Sequence, residues 1–123
     1  MEFAVKQAGR NAVVAFSDRV NLEGDDSVVF KDKLKAFVAD GHDRVVMDLG
    51  NVAFMDSHGL GALIGALKAL KQAEGHLVLA NVSEPVAAVL RVTRLDRVFD
   101  VKPTVEEALH LLDRLPVPVG RGA

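Results

Sequence analysis

Apolar residues along this chain change their spacing several times, and each change marks an element. Phe3 to Ala8 and Ala12 to Ser17 are strand-like runs broken by Gly9-Arg10-Asn11, a pattern that predicts a hairpin. In the second run Ala12, Val14 and Phe16 share one side and Val13 and Ala15 the other, so this strand is expected to be covered on both faces. Asp18 to Asp26 reads as a polar connection. Phe30, Leu34, Phe37 and Val38 then fall on one helical face, with Lys31, Lys33 and Lys35 elsewhere and Gly41 closing the helix. Val45 to Leu49 is a short apolar run with β-branched residues, the mark of a buried strand.

From Leu60 the period becomes helical. Leu60, Leu63, Ile64, Leu67 and Leu70 form the apolar side, Lys68, Lys71 and Gln72 the other, and the helix is expected to end at Glu74-Gly75. Leu77 to Val82 is a second continuous apolar run. It predicts a strand parallel to Val45–Leu49, with the intervening helix as a right-handed crossover. Ser83-Glu84-Pro85 opens a further helix, buried through Val86, Val89 and Leu90. Arg91, Arg94 and Arg97 recur every third residue and read as a solvated face. Val98 to Val101 predicts a short last strand. Thr104-Val105-Glu106-Glu107 has the form of a capping box before a helix that turns Ala108, Leu109 and Leu112 inward.

A hairpin followed by alternating strands and helices implies an α/β layer structure, with a mixed sheet of four to five strands flanked by about four helices. No repeat or linker interrupts residues 1–114, which are expected to form a single domain. Residues 115–123, with two prolines and two glycines, are expected to be a flexible tail.

Composition narrows the function. Half of the 123 residues are hydrophobic, enough for one compact domain with a core. The 15 basic and 17 acidic residues are mixed along the chain and leave a net charge of −2, which indicates neither a nucleic-acid partner nor an anionic membrane. The chain has no cysteine, so disulfides, thiolate metal sites and a cysteine nucleophile are excluded. Met1 to Lys6 lacks a signal-peptide pattern, and no apolar run approaches the ~20 residues needed to span a bilayer. The expectation is a cytoplasmic protein.

Between the central strand and its helix lie Asp56, Ser57 and His58. Asp and Ser are usual N-cap residues, and Gly59 and Gly61 would let the first turn pack on the sheet. The same tip presents backbone N–H groups and the positive end of a helix dipole. Asp, Ser and His are also the residue types of a hydrolase triad, so a hydrolase using Ser57 and His58 is a reading of another class. Consecutive residues at a helix start point in different directions, however, and the run lacks a Gly-x-Ser-x-Gly elbow. Asp56 and His58, two residues apart, are poorly placed to share a metal on a helix. His42, His76 and His110 lie near element ends or in the last helix and read as surface residues. No catalytic residue, cofactor or metal site is expected.

Asp48-Leu49 followed by Phe54-Met55-Asp56-Ser57-His58-Gly59-Leu60-Gly61 resembles the signature of STAS domains, above all of the bacterial anti-sigma factor antagonists, or anti-anti-sigma factors. The order of elements matches that family over roughly residues 1–113. The resemblance implies the STAS fold and a regulatory, non-enzymatic binding protein. Its partner would be an anti-sigma factor or related switch kinase of the serine/threonine type, docked through Asp56, Ser57, His58, Gly59, Leu60 and Gly61. In phosphorylated members a motif Ser/Thr accepts phosphate from the kinase, which ends the interaction, and a phosphatase reverses it. The resemblance assigns that acceptor position to His58, with Ser57 as the alternative phosphosite. An imidazole there implies that the tip escapes phosphorylation at that position. Against the helix dipole, His58 is expected to be mostly neutral. Small STAS proteins also resemble the accessory subunit of a phospholipid-transporting ABC system, the alternative role within the same fold.

Overall fold

The structure, a computed structural model, describes residues 2–117. The hairpin is formed by β1 (Phe3–Ala8) and β2 (Asn11–Phe16), followed by the short β3 (Val20–Leu22) and α1 (Gly24–Ala39). Next come β4 (Arg44–Asp48), β5 (Val52–Met55), α2 (Ser57–Gln72) and β6 (His76–Ala80). The described chain ends with α3 (Glu84–Val92), a 3-10 turn at Leu95–Arg97, β7 (Asp100–Lys102) and α4 (Val105–Arg114). The main sheet has five strands in the order β1-β2-β4-β6-β7. β1 runs antiparallel to β2, and the remaining pairs are parallel. This is the mixed sheet with four flanking helices that the apolar pattern predicts. Of the expected tail 115–123, residues 118–123 lie outside the described residues.

The two-residue period of the strands sorts the core into two layers. Val14, Phe16, Val45, Met47, Leu77 and Leu79 face α1, α2 and α3, where they meet Phe30, Leu34, Leu63, Leu70, Val86 and Leu90. Val13, Val46, Val78 and Ala80 point the other way, onto Ala108 and Leu112 of α4. Phe3, Phe16 and Phe30 pack as a cluster, with ring centroids 5.2 to 5.9 Å apart.

β3 and β5 carry no signal in the sequence, where Asp18–Asp26 reads as a polar connection. They are three and four residues long and pair only with each other, in parallel, as a separate two-stranded sheet. Runs so short carry no readable period, and their pairing depends on a partner some thirty positions away. Other boundaries shift slightly. β6 stops at Ala80 because Asn81 turns into the left-handed region at φ 54. β7 begins at Asp100 rather than Val98. Arg91, Arg94 and Arg97 are exposed, as expected, but share no helix: α3 ends at Val92 and Arg94 sits at φ 61 beyond its cap.

At the amino-terminal end of β4 the guanidinium of Arg44 is buried, with the residue only 3% exposed. Its Nε donates to Asn11 Oδ1 at 3.1 Å, and its two Nη atoms donate to the carbonyls of Leu112, Leu115 and Pro116. Asn11 Nδ2 in turn donates to Asp113 Oδ1 at 2.9 Å. One buried cation thus closes the C-terminal end of α4, where the last carbonyls of a helix lack partners of their own.

Candidate functional site

At the opposite pole, where β5 turns into α2, Asp56 is the N-cap, in extended backbone at φ −97, ψ −171. Its Oδ1 accepts from the N–H groups of His58 at 2.9 Å and Gly59 at 3.0 Å. Its Oδ2 accepts from Gly24 N at 3.3 Å and lies 3.2 Å from His58 Nδ1. Its own N–H donates to Leu22 O at 3.1 Å. A single carboxylate therefore joins the starts of α1 and α2, while the backbone of the same residue holds the end of β3. Asp56 and His58 touch although they are two residues apart, a spacing that does not bring side chains together on a helix. That rule holds inside a helix, whereas Asp56 lies just outside one and folds back over the first turn.

With Asp56 doing the capping, Ser57 is left free of that duty. Ser57 is exposed, and its hydroxyl has no hydrogen-bond partner among the described residues. The His58 side chain is 68% exposed and that of Asp56 31%. Gly61 is exposed, with open space where a Cβ would stand. Leu60 is half-buried and packs against the core. Gly59 is buried, as the expected packing of the first turn on a sheet requires, whereas Gly61, given the same role, is not. A Cβ on Gly59 would stand 2.3 Å from Leu22 O and 2.7 Å from Met55 Cγ. It is a close-approach position beneath the tip, and its neighbours form the surface there.

Beside the tip, α1 and α2 leave a cleft of about 350 Å³ lined in part by Ser27, Val28, Lys31, Ser57 and His58. Val28 on its rim is 51% exposed, and Phe54, two residues before Asp56, is 45% exposed. Ser27, Val28, Lys31 and Phe54 carry no signal as site residues in the sequence, because only the packing of α1 on α2 brings the first three to the tip. The other histidines stand apart. His42 stacks on Phe37 with centroids 3.8 Å apart and His76 Nε2 lies 2.9 Å from Pro116 O, so both are half-buried rather than free on the surface. His110 is exposed. Among the described residues no three His, Asp or Glu side chains are grouped to hold a metal, and no helix is long and apolar enough to cross a membrane.

The Gly59 N–H is the main cause holding the Asp56 carboxyl below its ordinary pKa. Partial burial opposes it, and the His58 imidazole and the N–H groups of Gly24 and His58 lower it further. A carboxyl with a lowered folded-state pKa contributes stability that is present above its unfolded value and is lost as pH falls through the folded one. Acid unfolding of the wild type is therefore expected to steepen below about pH 4. Asp56→Asn, which keeps a capping oxygen but cannot ionise, should flatten that part of the curve and lower the plateau above it. Stability measured by urea unfolding from pH 7 to pH 2.5 checks this, and identical acid limbs would rule the carboxylate out as the cause.

The STAS domain profile matches residues 6–108, and the chain belongs to the STAS domain family. Among its relatives, an anti-sigma factor antagonist assigned in Thermotoga maritima is 31% identical over 78 residues, 63% of this chain and 69% of that protein. The anti-sigma-B factor antagonist of Listeria monocytogenes is 38% identical over 56 residues, 46% of this chain and 49% of the relative. The aligned parts thus make up between half and about two thirds of those proteins' length. The crystal structure of an anti-sigma factor antagonist assigned in T. maritima superposes with a TM-score of 0.83 at 26% identity, covering 91% of this chain and 95% of that one.

Proposed function

We propose that the chain is itself an anti-sigma factor antagonist acting in the cytoplasm. In this reading it docks an anti-sigma factor of the serine/threonine-kinase type through the start of α2, with Asp56, Ser57, His58, Leu60 and Gly61 at the contact. The observation that carries it is the division of labour at the tip. Asp56 fixes the backbone of two helices and orients His58, so that Ser57 and His58 project from a rigid base and need no reordering on docking. A binding role rather than a hydrolytic one is supported by the shallow surface and by the lack, among the described residues, of a hydrogen bond between the His58 ring and the Ser57 hydroxyl.

The reading also concerns the switch. A hydroxyl-specific kinase transfers the γ-phosphoryl of ATP to an oxygen, releasing ADP, and His58 offers no such oxygen. Ser57 carries the one hydroxyl in the Asp56–Gly61 run, and that hydroxyl is exposed and unengaged. Phosphate on Ser57 would add about −1.5 to −2 charges to the contact and oppose docking by desolvation and repulsion. Incubation with the cognate kinase and ATP, followed by mass spectrometry, is expected to find phosphate on Ser57 and none on residue 58. Ser57→Ala should remain unmodified and keep binding. Stoichiometric modification at His58, or labelling that survives Ser57→Ala, would overturn this assignment. For the docking itself, affinity capture from the native cell should recover a kinase-like protein. Recovery of a membrane permease and its ATPase instead would favour the transporter-accessory role.

A further inference from the structure

Ser27, on the side of α1 that packs against α2, is 2% exposed, and its Oγ has no hydrogen-bond partner among the described residues. Buried hydroxyls are rarely left so, because the lost hydration is not recovered. Ser27 lines the cleft beside the tip together with Lys31, Ser57 and His58. The polar groups there are donors or can become donors: two hydroxyls, an ammonium and an imidazole. Both α1 and α2 begin at this end of the molecule, so the positive ends of two helix dipoles add to the field. No carboxylate lines the cleft. Asp25 and Asp26 in the first turn of α1 are exposed away from it, and the oxygens of Asp56 are taken by Gly24, His58 and Gly59. A Cβ on Gly65 would meet Lys31 Cδ at 2.9 Å, so the glycine leaves room for the lysine stem to lie across α2. Val28 and Ala62 supply apolar walls.

We propose that this cleft is a carboxylate subsite that takes an aspartate or glutamate side chain of the docking protein. The source of the carboxylate rests on the antagonist reading above, while the chemistry of the cleft does not. One carboxylate oxygen faces Lys31 and Ser57, the other takes the buried Ser27 hydroxyl once the side chains covering it part, and the methylene stem lies against Val28 and Ala62.

The test uses the full chain and sodium acetate as probe, with sodium chloride at equal ionic strength as reference, read by ¹⁵N–¹H spectra. Amide shifts at Ser27, Lys31, Ser57 and His58 should saturate with acetate and not with chloride. Ser27→Ala should weaken acetate binding about tenfold, and Lys31→Gln should weaken it as well. The Ser27→Ala protein is expected to melt no lower than the wild type, since the change removes an unmet hydroxyl and places a better helix former in α1. Equal responses to acetate and chloride, or acetate binding indifferent to both substitutions, overturn the proposal. Preference for inorganic phosphate over acetate overturns the choice of carboxylate. Acetate binding without any captured kinase would count against the antagonist reading alone, and a captured kinase without acetate binding against the subsite alone.

Discussion

Gly59→Ala is expected to destabilise the protein by about 3 kcal/mol, at the upper end of what overpacking usually costs. The new methyl would stand 2.3 Å from Leu22 O, 2.9 Å from Leu22 Cβ and 2.7 Å from Met55 Cγ. A methionine side chain can move aside. The Leu22 carbonyl cannot, because it accepts the Asp56 N–H that fixes the cap. Relief therefore requires α2 to separate from β3 at the point where Asp56 holds both. The variant should lose partner binding even in its folded fraction, because the cap and the orientation of His58 move with that joint. Gly61→Ala is the control. Its Cβ enters open space on the same helix, and the exchange should stabilise by about 0.5–1 kcal/mol through helix propensity. Urea unfolding midpoints for the two variants decide the matter, and a loss below 1 kcal/mol for Gly59→Ala would show that the joint is softer than its geometry implies.

Arg44→Met is expected to cost about 3 kcal/mol by a different route. It removes the donor from Asn11 Oδ1 and from the carbonyls of Leu112, Leu115 and Pro116 at a buried position. Arg44→Lys should recover little, since one ammonium on a flexible stem does not reproduce a planar fork with several fixed donors. The damage should stay local to the amino-terminal ends of the strands. Amide exchange in α4 should quicken, while the tip, which follows the other end of β4, keeps its affinity for a partner. Uniform loss of protection across the sheet, or an Arg44→Lys protein as stable as the wild type, would contradict the role given to the guanidinium.

Both effects arise where two segments distant in sequence come within contact, and this separates what was legible in the chain from what was not. The strands β2, β4 and β6 were readable because each is apolar on both faces, and α2 because Leu63, Leu67 and Leu70 repeat at helical spacing over about two turns. The capping box at Thr104 was equally local: its Oγ1 accepts from Glu107 N at 3.1 Å. Asp56 was recognisable as a cap for the same reason, since its partners are the next few N–H groups. Its bond to Gly24 N had no signal in the sequence, nor did the pairing of β3 with β5.

Asp48-Leu49 and the run Phe54–Gly61, set in their order of elements, carried the resemblance to the family and located the tip, because residue type and spacing are properties of short segments. Which of those residues face outward was decided only in three dimensions. Gly59 and Leu60 adjoin Ser57 and His58 in the chain, yet Gly59 is pressed against β3 and Leu60 packs on the core, because the helix turns about 100° per residue over a surface that only the folded sheet supplies. The Ser27 hydroxyl and the fork of Arg44 belong to the same class. A polar group buried in the interior acquires its meaning from the partners that surround it there, and those partners come from other elements of the fold.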